Sequence, residues 1–463
     1  MIRAQAVAHE WRREMDVMAI LTELRQRAGD ALGRRMVRDG MWITAGHATV
    51  VLSGIIAIRV MTELAPAAVF GGANLLLGVM TLALNAGLSP LAQTQVRYHL
   101  QHLQAGNGGA YNRLIAGYAA ALAACFSVAV IATLLIWPAL RAGGSIWIIA
   151  LIAPWAVATV GRAVLITPVH AERRMHRYAA WIATEAVLLM ACTAIALAFD
   201  PSIEAFIAGQ TIAIMIATFA FGRLPSGGNR STAARAGMVR EARAQIIRYG
   251  LPILPFAALG FAYSQSDRYV LAATLDMAAV GLYAAAFTIA SRMAIMMSAV
   301  LNDVFRPALF EAETNGALAR GQLIFRLWIV TMLVAMAGLV IGMLIFGDLI
   351  AALILAPDYR AGARNVMCLI ALGYGVNMIA QVVENRLLSF GVSSTLIWTK
   401  LAGGGANIVL ALALIPLLGV IGAAIANALG QLAMLGAVII AWGLTPRGMP
   451  VPNPDQPEAV VIS

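Results

Sequence analysis

Apolar runs of about twenty residues recur along the chain between Met41 and Trp442, and short polar stretches separate them. A run of that length crosses about 30 Å of hydrocarbon as an α-helix. We therefore predict an all-α membrane protein with about twelve transmembrane helices, six on each side of a polar linker. The predicted spans are 41–60, 66–88, 113–138, 145–168, 177–199, 202–222, 249–272, 278–305, 322–346, 364–388, 394–417 and 419–443.

The same pattern divides the chain into tails, two helix bundles and a linker. For the charged N-terminal tail, an amphipathic helix on the membrane surface and an unstructured extension from an early start codon both stay open. The proline-rich C-terminal tail is predicted to be disordered. The segments are the tail 1–40, the first six-helix bundle 41–222, the linker 223–248, the second six-helix bundle 249–443 and the tail 444–463.

The composition excludes a soluble globular protein. The chain is 61% hydrophobic and only 12% charged, and its mean hydropathy is +0.82. Soluble domains carry about 25% charged residues, which is what covers their surface. A belt that faces lipid needs far less charge.

The net charge of +10 comes almost entirely from arginine, since Lys400 is the only lysine. The arginines concentrate in the tail, the linker and alternate loops, which is how membrane proteins mark their cytoplasmic side. We therefore expect a bacterial inner-membrane protein with both termini in the cytoplasm. No basic stripe is interleaved with aromatic residues, so a nucleic-acid partner is not expected.

A short repeat relates the two bundles. Arg59 precedes the segment 67–71, Ala-Ala-Val-Phe-Gly, and Arg268 precedes the segment 278–283, Ala-Ala-Val-Gly-Leu-Tyr. An even number of spans separates the copies, so both have the same orientation in the membrane. This predicts two parallel repeats related by an axis along the membrane normal.

The motifs of membrane enzymes are missing from the sequence. There is no phosphate-binding Gly-rich loop, no His-Glu-x-x-His and no Asp-x-Asp, and the three cysteines lie unpaired inside apolar runs. We expect no catalytic residue, no metal site and no cofactor. His47, alone in the first span, is interpreted as a hydrogen-bonded structural residue.

Several segments in the second half resemble the polysaccharide transporter family, the Wzx-type O-antigen flippases of the multidrug/oligosaccharidyl-lipid/polysaccharide exporter superfamily. In the first half, a match lies around 65–71. The resemblance is carried by Tyr-Gly-Leu-Pro-Ile-Leu-Pro at 249–255, Ser-Asp-Arg-Tyr-Val-Leu at 266–271, Val-Gly-Leu-Tyr at 280–283, Arg-Pro-Ala-Leu-Phe-Glu at 306–311, Asn-Ile-Val-Leu at 407–410, Ile-Pro at 415–416 and Gly-Val-Ile-Gly-Ala-Ala-Ile-Ala at 419–426.

The resemblance implies a MATE-like fold, with two six-helix bundles around a central cavity. It also implies a flippase that moves a polyprenyl-diphosphate-linked oligosaccharide from the cytoplasmic to the periplasmic leaflet by alternating access. The cargo would serve surface polysaccharide synthesis: lipopolysaccharide O-antigen, capsule or exopolysaccharide. A monomer is expected, with other polysaccharide-assembly proteins as further partners.

Charged residues inside spans are the candidate functional residues, because they face a cavity or a partner. Arg162 and Glu185 both lie about 16 Å from the arginine-rich side on adjacent antiparallel spans, so we predict that they pair. Arg292 lies about 21 Å from that side and no acidic residue shares its depth. It therefore needs either a water-filled cavity with an anion or the free backbone carbonyls of a bent helix.

Other residues are assigned by position. Arg268 and Arg59, with Arg292 and Arg162, are the candidate cargo-binding residues of the cavity. Asp267 is expected to pair with Arg268 at the outer interface. The structural or gating candidates are Glu185, Asp267, Pro252 and Pro255, and the two prolines are expected to bend the seventh span.

Two alternatives remain open. One is a drug or solute exporter of the same superfamily, which the lack of an acidic residue in the span 41–60 disfavours. The other is a membrane glycan polymerase or glycosyltransferase, which a demonstrated sugar-transfer activity would establish.

Overall fold

The computed structural model describes residues 31–136, 141, 144–222, 232–250, 265–314, 317–389 and 395–444. The secondary structure of these ranges is helical. Most of the predicted tails and both Pro252 and Pro255 lie outside them. The helices are α1 (Ala31–Leu64), α2 (Ala67–Gln104), α3 (Gly108–Ile136), α4 (Ile148–Ala171), α5 (Met175–Phe199), α6 (Ile203–Phe221), α7 (Thr232–Gln245), α8 (265–274), α9 (Met277–Thr314), α10 (Leu318–Ile354), α11 (Ala363–Ser389), α12 (Thr395–Leu418) and α13 (Val420–Leu444).

The described helices lie at the positions of the predicted spans, although some of them are longer. Among the described residues, 10 helices are long and apolar enough to cross a membrane, and the count is 11 if α2, which bends by 48° between Thr81 and Leu84, is one span. Helix α8 corresponds to the C-terminal part of the seventh predicted span, 249–272. The chain is therefore a multi-pass α-helical membrane protein.

Two helices run much farther than the apolar runs predict. Helix α2 was expected to end near residue 88 and α9 near residue 305, yet each has 38 residues and continues through an internal proline, Pro90 and Pro307. Such prolines are tolerated where side chains and neighbouring helices satisfy the freed backbone groups. The Thr94 hydroxyl, for example, donates to the Pro90 carbonyl oxygen at 2.8 Å.

The helices form two lobes. In the first lobe, α1 packs on α5, α5 on α6, and α3 on α4; in the second lobe, α10 packs on α11, and α13 on α11 and α12. Small residues let helices approach closely. Gly46 of α1 faces Ala179 of α5, and Gly403 of α12 faces Met434 of α13.

The two ends of the molecule differ in charge. We call the end that holds the start of α1 and the end of α13 the Arg-rich end, and the opposite end, where α1 ends and α2 begins, the Arg-poor end. The linker lies at the Arg-rich end and contains the helix α7, followed by a π-helical turn, Ile246–Gly250. Arg243 of α7 donates to the Tyr118 hydroxyl of α3 at 2.8 Å, so the linker helix is docked on the first lobe.

Candidate functional site: the cleft between the lobes

The lobes touch backbone to backbone at the Arg-poor end. The Cα of Gly71 in α2 faces the backbone of Met277 and Gly281, and the Cα of Gly281 in α9 faces the carbonyl of Ala67. A Cβ at position 71 would lie 2.6 Å from the Gly281 nitrogen. Glycine at both positions is what allows α2 and α9 to meet this closely.

Hydrogen bonds close the same end. Arg59 donates to the Leu355 carbonyl at 2.5 Å, the Ala356 amide donates to the Thr62 hydroxyl at 3.2 Å, and the Tyr359 hydroxyl donates to the Ala65 carbonyl at 2.9 Å. We call these three contacts the interlobe clasp.

Arg59 therefore belongs to the interlobe clasp, and its expected contact with cargo stays a prediction. It lies at the last turns of α1, where it also pairs with Glu63. From there its side chain reaches the end of α10 in the other lobe.

Helix α1 shows where the lobes separate. Residues seven apart lie within about 20° of each other on a helix, so Met61, Gly54 and His47 share one face. Met61 is buried, whereas His47, on the side toward the Arg-rich end, is exposed.

Helix α9 shows the same change. Four residues of α9 lie seven or eleven positions from Arg292 and therefore point within about 20° of the same direction. They are Gly281, Ala285, Ala299 and Asp303. Ala285 is fully buried, Arg292 is half-buried, and Ala299 and Asp303 are exposed. Together with α1, this defines a cleft between the lobes that is closed at the Arg-poor end and open at the Arg-rich end.

Arg292 lies where this cleft narrows. Its guanidinium rests against Gly54 of the opposite lobe, and a Cβ at position 54 would overlap the Nη1 atom of Arg292. Among the described residues, the guanidinium has neither a carboxylate partner nor a hydrogen bond to a backbone carbonyl. An acidic partner was not expected for Arg292, and whether its guanidinium faces an anion or the free backbone carbonyls of a bent helix stays a prediction.

Other cations deep in the spans have partners. Arg162 of α4 donates through Nε to both Glu185 oxygens of α5 at 2.6 Å, so the predicted pairing is confirmed. Lys400 pairs with Glu384 at 2.8 Å. The Arg162 contact favours a structural role over contact with cargo.

Asp267 and Arg268 do not form the expected interfacial pair of side chains. The Asp267 carboxylate accepts from the Tyr283 hydroxyl and from the Arg268 backbone amide, the latter at 2.9 Å. The Arg268 guanidinium instead binds Gln265 and lies 4.9 Å from the ring centroid of Phe287. Asp267 and Arg268 are 1% and 8% exposed, so they belong to the packing between α8 and α9.

The sequence reasoning missed two residues of the cleft. His47 was interpreted as a hydrogen-bonded structural residue, but it is exposed and has no hydrogen bond to any described residue. Gly54 was not singled out. The seven-residue spacing between them is the signal that could have placed both on the cleft face.

The donor chemistry of the site does not suggest a metal. Within the described ranges, no group of three or more His, Cys, Asp or Glu side chains lies close enough to hold a metal ion.

Fold and site together define a two-lobed helical membrane protein with a central cleft. Its structure resembles the lipid II flippase MurJ in an inward closed conformation (TM-score 0.66, 10% identity, 89% of this chain and 88% of that chain). It also resembles an inward-facing multidrug resistance MATE family transporter of the MOP superfamily (0.58, 14%, 85% and 93%). A third similar structure is a MOP superfamily transporter from Pyrococcus furiosus (0.59, 14%, 88% and 94%).

These likenesses confirm the MATE-like fold. No protein-family model matches the chain, and no curated protein sequence matches it.

Proposed function

We propose that this protein is a flippase of the bacterial inner membrane that moves a polyprenyl-diphosphate-linked oligosaccharide from the cytoplasmic to the periplasmic leaflet. The glycan would serve surface polysaccharide synthesis. The observation that carries the proposal is Arg292, a half-buried guanidinium at the narrow end of the cleft with no anionic partner among the described residues.

The chemistry of the cargo explains why an arginine would be placed there. A diphosphate and sugar hydroxyls cannot cross hydrocarbon unaided, because charged groups at the bilayer centre are disfavoured by several kcal/mol. A guanidinium offers planar, bidentate hydrogen bonds that match phosphate oxygens. Its charge favours the Arg-rich end as the cytoplasmic one, which supports the proposal because the open end of the cleft would then face the leaflet where such a cargo is loaded.

The structural neighbours support a transporter rather than an enzyme. One is a flippase for lipid II, and others are MATE transporters. No sugar-transfer chemistry is needed to explain the cleft, so the glycan polymerase or glycosyltransferase alternative has no observation in its favour.

A drug exporter is the second candidate. The similarity to a multidrug resistance transporter and the exposed carboxylate of Asp303 toward the open end of the cleft favour it. Arg292 at the narrow end disfavours cationic drugs, since like charges repel there. Resistance assays against organic cations separate the two functions: a flippase gives no change in drug tolerance when the gene is deleted.

The function is tested in a strain that needs this gene for its surface glycan. Arg292→Ala removes both the positive charge and the planar, bidentate guanidinium, whereas Arg292→Lys keeps only the charge. We expect Arg292→Ala to abolish surface glycan and Arg292→Lys to retain part of it. Arg113→Ala, at an exposed arginine of the Arg-rich end, is the control and should export normally. Wild-type export by Arg292→Ala, at normal protein levels, would refute the cargo role.

A further inference from the structure

His47 lies on the cleft side of α1 and not on its lipid side. The large exposed apolar residues of α1 point at least about 120° away from Gly54 around the helix; they are Met41, Trp42, Leu52 and Ile56. His47 lies within about 20° of Gly54. It is thus exposed to the cleft, below the point at which Arg292 touches Gly54.

The position of His47 is unusual for a structural histidine. It makes no hydrogen bond to a described residue, although both ring nitrogens can take part in one. An imidazole in a cleft open to water can donate to an anion from one ring nitrogen in either protonation state.

The spacing between His47 and Arg292 limits what could bridge them. Seven residues separate His47 from Gly54, which is about 10 Å along the helix axis, and the Arg292 guanidinium rests on Gly54. Two charge-assisted hydrogen bonds of about 2.8 Å leave about 5 Å for the ligand itself. That is a length for two linked phosphate groups rather than for one.

We propose that His47 is a second cargo-binding residue, so that Arg292 and His47 hold the two phosphate groups of one diphosphate. The inference rests on the proposed function and extends it to a preference for diphosphate over monophosphate head groups. Asp303 lies on the same face of α9, about 16 Å from Arg292 and about 6 Å nearer the open end of the cleft than His47.

The test measures binding of farnesyl diphosphate and farnesyl monophosphate to the purified full-length protein in detergent. We expect the wild type to prefer the diphosphate by at least about tenfold, the factor for one hydrogen bond to a charged group. His47→Leu should lower diphosphate affinity to the level of the monophosphate and leave monophosphate affinity unchanged. His47→Lys, which restores a donor, should recover the preference.

The control is Thr49→Leu, a change on the opposite face of the same helix, where the Thr49 hydroxyl bonds only the Ala45 carbonyl. It should bind both probes as the wild type does. Equal preference for the diphosphate in wild type and His47→Leu overturns the inference while leaving the flippase proposal intact. If Arg292→Ala binds both probes as tightly as the wild type does, the flippase proposal itself is overturned.

Discussion

Gly71 and Gly281 make equivalent contacts with each other's helices. Each lies four residues after the first residue of its helix, and each faces the backbone of the first residue of the other helix, Met277 or Ala67. Reciprocal contacts of this kind arise when a two-fold axis relates two copies. They place the predicted axis of the repeat at this point, where the lobes meet at the Arg-poor end.

The contact between Gly71 and Gly281 should tolerate no side chain at either position. In Gly281→Ala the new Cβ meets the carbonyl of Ala67, a backbone atom that cannot move independently, and overpacking of this kind destabilises by about 1–3 kcal/mol. We expect a lower melting temperature for the purified protein. Gly338→Ala is the control, because nothing lies within 4 Å of its new Cβ. Equal melting temperatures for the two variants would show that the helices do not meet as described.

The interlobe clasp should hold the Arg-poor end closed. Burial raises the pKa of Tyr359, so its hydroxyl stays protonated and donates to Ala65. Tyr359→Phe removes about 1 kcal/mol of hydrogen bonding, which is about fivefold in the closed-to-open equilibrium. We expect faster maleimide labelling of a cysteine placed at the buried Leu355 in a background without the native cysteines.

The matched control is Tyr118→Phe, which removes a tyrosine hydroxyl at the opposite end of the molecule. It should leave the labelling rate unchanged. A rate for Tyr359→Phe that equals this control would mean that the Tyr359 hydrogen bond contributes nothing to closure.

The Arg162–Glu185 pair should support stability and not transport. Removing Arg162 leaves the buried Glu185 charge alone, which destabilises by about 3 kcal/mol, and removing Glu185 has a smaller effect because Arg162 is only half-buried. Arg162→Ala and Glu185→Leu should each lower the melting temperature. The double variant Arg162→Met/Glu185→Leu should regain most of it and still export glycan. Loss of export by a stable double variant would return Arg162 to the cargo-binding residues.

The helix pattern was predictable because lipid contact forces long apolar runs, and depth along a helix follows from residue counting. That is why the pairing of Arg162 with Glu185 could be inferred before the structure. The lengths of α2 and α9 could not be inferred, since each helix continues past its apolar run and through an internal proline.

Contacts between the lobes were the part that the sequence left open. In the sequence, Arg59 cannot be distinguished from an arginine that lines the cavity. Only the position of the Leu355 carbonyl shows that Arg59 helps to close the Arg-poor end. Asp267 and Arg268 are neighbours in sequence, but successive residues on a helix point about 100° apart, so each finds its own partner. To place His47 in the cleft, one must know which face of α1 points toward the other lobe. The contact of Gly54 with Arg292 shows which face this is.

The central claim is that Arg292 binds the anionic head of the cargo as it crosses the membrane. The most direct measurement is flipping of a fluorescent polyprenyl-diphosphate oligosaccharide in proteoliposomes that contain the purified protein, with Arg113→Ala as the control. We expect Arg292→Ala to lose at least about tenfold in rate, the factor for one charge-assisted hydrogen bond, with Arg292→Lys in between. An Arg292→Ala rate equal to that of the wild type, with equal protein inserted, would contradict the account.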